Sequence, residues 1–594
     1  MKWLLLGLFL PSCFSNKYVA HLERETLLDH TNRVPGAAAP LAVVCIADWV
    51  DETPKQRLQK QLVANWARAT RAAGLDCAVV LCTPLNLTHA DVQSLTRGES
   101  CAVLRSTDAA CLLNARLGRW SVMRSMLQWG VSVINADPDA VFTSTSFIPY
   151  LSALLQKHPF MDVATMSDAS TSTTTELLHV SHSGFGATMW ERSFPNTKRF
   201  GNTFITKTEN AWRDQQILAV LPSLVGGTHQ LGLEDPNNCQ HQYNTGWMYW
   251  KSTNRSMSLL SEWIRQIQPM LLSFNPDDQL TFYKLARTNA QYCSLASATP
   301  STLTLDTCGG DPALQPAWAG TACLGLLNLV QFANGFVYQS QRAHEQYGVV
   351  PHVYHATYSQ NKRLSLEEEG FFEHRQNVDE MFLGYVEDVP QYFFGGNFTT
   401  WQNSYELVQH QLKQFRSALR IAILLNRTIV LPRMALACQC FFYAPEPTSC
   451  TITGIRMRLP YVAPTDHWLK SEHMTIPFKG PGFYNDKKHV FVHKLDMETV
   501  RQGDAQLLNE FSNLSKIKYL KVSGNLHDHH MYIQEAQKRA VLEELERKVL
   551  GSWCCADEGV HPNVKTFKAK YSFDETGQLT DANDKQYGHG TCGL

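Results

Sequence analysis

The run Leu41-Ala42-Val43-Val44-Cys45-Ile46-Ala47 is apolar without a break, the pattern of a strand covered on both faces. Residues 53–73 follow with apolar positions at helical spacing and stop at Gly74, a residue suited to a helix C-terminus. Cys77-Ala78-Val79-Val80-Leu81-Cys82 predicts a second buried strand. Residues 114–129 predict an amphipathic helix ended by Gly130, and Val131-Ser132-Val133-Ile134-Asn135 a third strand. Strands alternating with helices predict an α/β sheet, parallel in this half. The texture changes near 360–400, with the charged run Leu366-Glu367-Glu368-Glu369 and then Pro390 and Gly395-Gly396. Beyond it, residues 405–425 predict an amphipathic helix, Asn426 to Pro432 a turn and strand, and residues 533–549 another helix. The predicted layout is a leader at 1–15, a linker at 16–40 and an α/β domain at 41–370. A linker at 371–400, a second, smaller α/β module at 401–555 and a mostly loop tail at 556–594 complete it.

The leader has one basic residue, Lys2, then an apolar run from Trp3 to Leu10, with small residues Cys13 and Ser15 beyond. A membrane span needs about 20 apolar residues, so this run reads as a secretory signal peptide or a short anchor. No later stretch is apolar enough to span a bilayer. Hydrophobic residues make up 44% and charged residues 18%, which excludes a mostly disordered, collagen-like or coiled-coil protein. A net charge of -1 gives no global attraction for nucleic acid, so no nucleic-acid partner is expected. The 16 cysteines are scattered, with candidate disulfide clusters at Cys438, Cys440 and Cys450 and at Cys554, Cys555 and Cys592. Cys45 and Cys77, in strand patterns, are expected as core residues rather than bridges. Sequons at Asn86, Asn254, Asn397, Asn426 and Asn513 permit a secretory address. The first strand–helix junction lacks a G-x-G-x-x-G, and no P-loop, G-x-S-x-G or H-E-x-x-H pattern occurs, which disfavours dehydrogenase, P-loop, hydrolase-elbow and zincin readings.

The chemistry begins where the third strand runs into Asp137-Pro138-Asp139. Ligands gather beyond the carboxyl ends of strands in open α/β sheets, and alternate residues of an extended segment share a side. Two carboxylates there can face one hard divalent cation. Alone, the triplet is a common turn or cap. Asn244-Thr245-Gly246, leading into the aromatic Trp247-Met248-Tyr249-Trp250, suits close backbone approach and sugar stacking, or equally an aromatic core strand. Asp278-Gln279 opens a helix, where capping is the plain alternative. His352 and His355 lie in a short strand pattern after Pro351, where a core histidine competes with a ligand.

Taken in order, these segments resemble glycosyltransferase family 77, nucleotide-sugar transferases of the GT-A fold. The resemblance spans residues 41 to about 363. It includes Asn65-Trp66, the Ile134 to Phe142 segment, Asp162-Val163 through Asp168, the Trp263 helix, Phe332-Ala333-Asn334-Gly335 and His355-Ala356-Thr357. Within the family it is nearest to plant extensin arabinosyltransferases, whose C-terminal extension is similar to His410 through Leu419, Leu431-Pro432-Arg433 and the Cys438/Cys440 region. Pro138 inside the D-x-D, Trp247 at a usually aliphatic position and segment 207–242 depart from the pattern.

The resemblance implies a GT-A-type, Rossmann-like transferase domain followed by a smaller α/β module. It implies Asp139, Asp137 and His355 as ligands of Mn²⁺ (or Mg²⁺), with Asp137 also near the ribose. Asn244, Thr245, Gly246, Gln279, Asn334 and Gly335 would then bind the donor, and Asp278 and Asp168 would be the catalytic candidates. The expected partners are a nucleotide-sugar donor, a UDP-sugar first among them, and a glycoprotein or glycan acceptor. The expected address is the secretory pathway, foremost the Golgi lumen. The alternative is a transferase-like binding protein without activity.

Overall fold

The central strand β1 (Leu41–Asp48) owes its continuous apolar run to cover on both sides. Its Leu41, Val43 and Cys45 enter one core, and Ala42 and Val44 the other. The computed structural model describes residues 20–48, 54–82, 101–106, 108, 115–167, 233, 243–269, 278–286, 308–311, 313–318, 320–340, 342, 344, 349–357, 359, 361–372, 380–387, 389, 401–436, 461–465, 468–469, 474–484, 487–495, 504–524, 526 and 535–548. The described residues of Met1–Thr173, Gln230–Ala333 and Val350–His355 make one compact unit, and those of Asn334–Val349 and Ala356–Leu594 a second.

In the first unit β1 is followed by α1 (Pro54–Ala72), β2 (Ala78–Cys82), β3 (Ala102–Arg105) and α2 (Ala115–Gln128). Then come β4 (Ser132–Ala136), β5 (Ala140–Phe142), α3 (Phe147–Lys157), β6 (Val163–Ser167) and β7 (Tyr243–Trp250). The elements α4 (Asn254–Ile267), α5 (Asp278–Ala286), β8 (Leu314–Ala317), β9 (Ala322–Leu326), β10 (Phe332–Asn334, whose last residue is counted in the second unit) and β11 (Val353–His355) follow. Helices α1 and α2 end where expected, because Gly74 and Gly130 take left-handed φ values of 77° and 82°. The main sheet runs β3-β2-β1-β4-β7-β6-β9-β8, extended by the short strands Ala20–His21 beside β3 and Thr31–Asn32 beside β1, both inside the 16–40 stretch expected as a linker. Its first four strands are parallel, but β7 lies antiparallel between β4 and β6. The sheet is therefore mixed where the pattern predicted a parallel one. A second sheet, of three strands, has the order β10-β11-β5.

Cys45 is a buried free thiol, as expected, but Cys77 is not: it is joined to Cys101. The two cysteines immediately precede β2 and β3, whose residues Ala78 and Ala102 pair side by side, so their sulfurs are neighbours. A second disulfide links Cys308 and Cys323. The clusters expected at Cys438 to Cys450 and Cys554 to Cys592 lie outside the described residues, as does the leader.

The second unit contains α6 (Lys362–Glu368), β12 (Phe382–Tyr385), α7 (Trp401–Leu424), β13 (Thr428–Val430), β14 (Phe478–Lys479), β15 (Phe491–Lys494), α8 (Asp504–Ser512), β16 (Tyr519–Ser523) and α9 (Ala536–Lys548). Its sheet, β14-β13-β12-β16-β15, is parallel throughout. Helices α7, α8 and α9 cover the face carrying Leu383, Ile429, Leu520 and Val522. The central strand β12 falls inside the 371–400 stretch expected as a linker. The acidic run at the end of α6 is also unlike a solvated boundary. Glu368 accepts from the Thr465 backbone N–H and the Gln339 amide, and Arg342 grips Glu369 with 2.8 and 2.7 Å bonds. Gly480 and Gly482 leave room there, since a Cβ on either would collide with the Glu368 backbone.

Candidate functional site

The site is built where β4 ends. Below it, β6 and β7 pair in register from Val163↔Trp250 to Thr165↔Met248, and then shift so that Met166 meets Asn244. Residues Thr245, Gly246 and Trp247 are thereby pushed out as a bulge, a common device for aiming residues at a site. The bulge brings the Gly246 carbonyl to the Asp137 N–H at 2.6 Å. Asn244 Oδ1 accepts the Gly246 N–H at 2.7 Å, and Thr165 Oγ1 donates to the Asn244 carbonyl at 2.6 Å, which locks the bulge. Gln279 Oε1 takes the Thr245 N–H at 3.3 Å.

The second sheet delivers the histidine. Antiparallel pairing sets His355 opposite Ala140, the residue after Asp139. His355 Nε2 thus lies 3.5 Å from Asp139 Oδ1, and both side chains are buried. Donor atoms of Asp137, Asp139 and His355 all fall within 4.8 Å of one another. His352, three positions earlier, packs instead against the rings of Tyr150, Phe332 and Phe147, and burial lowers its pKa to about 4. It is a core residue.

One cation side chain serves two of the acids. Arg119, on α2, donates from Nη1 to Asp137 Oδ1 at 2.6 Å and from Nη2 to Asp278 Oδ2 at 2.7 Å. Its guanidinium lies 4.2 Å from the centre of the Trp120 ring, and Trp120 Nε1 donates to the same Asp278 oxygen at 3.1 Å. The other Asp278 oxygen receives the Gln279 N–H at 3.1 Å, and Trp263 Nε1 holds the Asp278 carbonyl at 3.1 Å. Asp278 therefore does what a helix-capping acid does, and also faces the cluster through Arg119. Burial raises the Asp137 carboxyl above its ordinary value; Arg119 opposes this and Asp139 adds to it. Burial and then Asp137 push the Cys45 thiol well up, so it stays neutral beneath the site.

The aromatic residues of β7 are not free platforms. Tyr243, Trp247, Tyr249 and Trp250 are all buried, Trp247 against Phe332 and Phe142, and Trp250 stacked on Trp263 with ring centres 6.1 Å apart. The core alternative holds for this strand, and sugar stacking on it does not. Asn334 and Gly335 belong to the second unit. There Asn334 Oδ1 accepts from the Val337 N–H and the Gly335 N–H donates to Thr357 Oγ1. Asp168 lies outside the described residues. Sequence reasoning missed Arg119 and Trp120. The signal was a charge beside a tryptophan on a helix face that the core must cover.

The donor set suits a divalent cation. Two carboxylates and an imidazole converge, and among the described residues Asp137, Asp139 and Asp278 together outweigh the guanidinium of Arg119. Gly246 leaves the space open: a Cβ there would stand 2.8 Å from Asp137 Oδ2 and 2.9 Å from His355 Nε2.

Residues 108–366 match the nucleotide-diphospho-sugar transferase family, and every residue just named except Cys45 falls in that stretch. The stretch is thus of the nucleotide-diphospho-sugar transferase type, on a mixed α/β fold. The chain is related to a plant arabinosyltransferase: it is 24% identical over 359 residues to "Arabinosyltransferase XEG113" of Arabidopsis thaliana, covering 53% of this chain and 52% of that protein. It spans about half the length of that curated relative. Among solved structures, apo mouse xyloside xylosyltransferase 1 is similar at 11% identity, over 54% of this chain and 98% of that one, with a TM-score of 0.27. The glycosyltransferase GlyE of Streptococcus pneumoniae TIGR4 is similar at 9% identity, over 66% and 73%, with a TM-score of 0.26.

Proposed function

We propose that the chain is a metal-dependent glycosyltransferase of the secretory pathway. It moves a sugar from a nucleotide-diphosphate donor, foremost a UDP-sugar, to a glycoprotein or cell-wall glycan acceptor, with retention at the transferred carbon. L-Arabinofuranose is the first donor sugar to test, on the strength of the Arabidopsis relative. The observation that carries the reading is the convergence of Asp137, Asp139 and His355 inside the stretch that matches the transferase family. The disulfides Cys77–Cys101 and Cys308–Cys323 fit an oxidising lumen, the Golgi in this reading.

In this reading Asp139, Asp137 and His355 hold Mn²⁺ or Mg²⁺, which when bound neutralises charge on the departing diphosphate. The protein's own groups do the rest. The bulge at Asn244, Thr245 and Gly246, braced by Gln279, lets the donor approach the backbone closely. Asp168 is assigned to the donor's sugar or to the acceptor. Both oxygens of Asp278 are engaged by donors, which suits a fixed anion that orients its neighbours better than a nucleophile. With no protein nucleophile, the departing phosphate takes the acceptor proton on the face it leaves.

A donor screen by nucleotide release, run with Mn²⁺ on purified protein, tests this. Release is expected with one UDP-sugar and is expected to vanish in Asp139→Ala without unfolding. Nucleoside diphosphate binding without release from any donor would make the protein a binding module instead.

A further inference from the structure

Arg119 contributes nothing to a cation sphere by itself, yet among the described residues its side chain hydrogen-bonds only to Asp137 and Asp278. A guanidinium placed for packing alone would spread its donors over carbonyls, as Arg427 does toward Phe382, Ile517 and Leu514 in the second unit. The fork of Arg119 instead joins one acid of the candidate cation site to the first residue of α5, with the Trp120 ring beneath it. Its charge therefore sits beside Asp137 on the side away from His355, since Asp137 Oδ1 faces Arg119 and Oδ2 faces Gly246 and His355.

We infer that Arg119 is a positioning residue that restricts Asp137 to one oxygen toward the cation and holds Asp278 in step with it. This rests on the cation reading above. Two consequences oppose each other and make the inference testable. As a like charge close to the cation, Arg119 weakens cation binding. As a two-point clamp, it keeps both acids in the arrangement that turnover needs. A purely structural arginine would give the opposite sign for the first effect, because its loss would disorder Asp137 and weaken binding.

The test is Mn²⁺ affinity by electron paramagnetic resonance of the free ion, on the full chain without donor, with turnover and thermal melting alongside. Arg119→Met, which keeps bulk and removes charge, is expected to bind Mn²⁺ about tenfold more tightly while turnover falls about a hundredfold. Arg119→Lys restores the charge but not the fork, so it is expected to hold Mn²⁺ within about threefold of wild type and still lose turnover. Arg119→Met binding Mn²⁺ no more tightly than wild type overturns the inference. So does Arg119→Lys with wild-type turnover, and that variant decides if Arg119→Met does not fold. Wild-type protein that binds no Mn²⁺ at all overturns the cation reading as well.

Discussion

Gly246→Ala adds one methyl group at the point where the bulge of β7 touches both ends of the cluster. The new Cβ would stand 2.8 Å from Asp137 Oδ2 and 2.9 Å from His355 Nε2, with the imidazole Cε1 closer still. Ordinary contact requires about 3.5 Å, so the carboxylate must retreat by roughly 0.7 Å and the ring by up to about 1.2 Å. The backbone can absorb little of this, because the Gly246 carbonyl is tied to the Asp137 N–H and its own N–H to Asn244. Sites of this kind tolerate about 0.5 Å of displacement, and a 1 Å error costs about a hundredfold in rate. Mn²⁺ affinity is expected to drop roughly tenfold to a hundredfold, with about a hundredfold loss of turnover. The overcrowding costs about 1–3 kcal/mol, which leaves the protein folded. Calorimetric Mn²⁺ titration with a thermal melt on the same sample measures both. Folded Gly246→Ala with Mn²⁺ affinity within about twofold of wild type would refute the proposition that Asp137 and His355 share one cation.

Two further substitutions probe the scaffold. Thr253 caps α4 by accepting the Ser256 N–H at 3.1 Å and donates to Asp162 at 2.9 Å. Thr253→Ala should cost about 1–2 kcal/mol in urea unfolding, with Mn²⁺ affinity unchanged and Ser at this position restoring most of the loss. His352 has a folded pKa of about 4 against an ordinary 6.5, so below about pH 6.5 the unfolded chain takes up a proton that the folded core refuses. Stability should fall by about 2 kcal/mol from about pH 7 to about pH 5, and level off below about pH 4. His352→Phe should flatten that dependence in melts across the range; an unchanged slope would place the titrating group elsewhere.

The α/β alternation was legible because buried strands and amphipathic helices carry their own periods, and Gly74 and Gly130 mark their stops. Strand direction was not. Tyr243–Trp250 is buried on both faces whether it runs parallel or antiparallel, and only its insertion between β4 and β6 decides. The D-x-D and His355 could be named from the resemblance, and the strand supplies the physical reason that His355 and not His352 meets Asp139. Positions three apart in an extended segment point to opposite faces, one to the aromatic core and the other toward Asp139. Glu368 and Glu369 marked only a change of texture, because sequence shows charge and not its partners, here Gln339, Thr465 and Arg342. Arg119 was missed for the same reason: its two acids lie 18 and 159 positions away.

Crystals grown with Mn²⁺ and a nucleoside diphosphate, and measured for the anomalous signal of manganese, bear most directly on the whole reading. The expected result is one strong peak within coordination distance of Asp139 and His355, with a single oxygen of Asp137 alongside. Bound nucleotide with no peak there, or manganese only at other carboxylates, would contradict it.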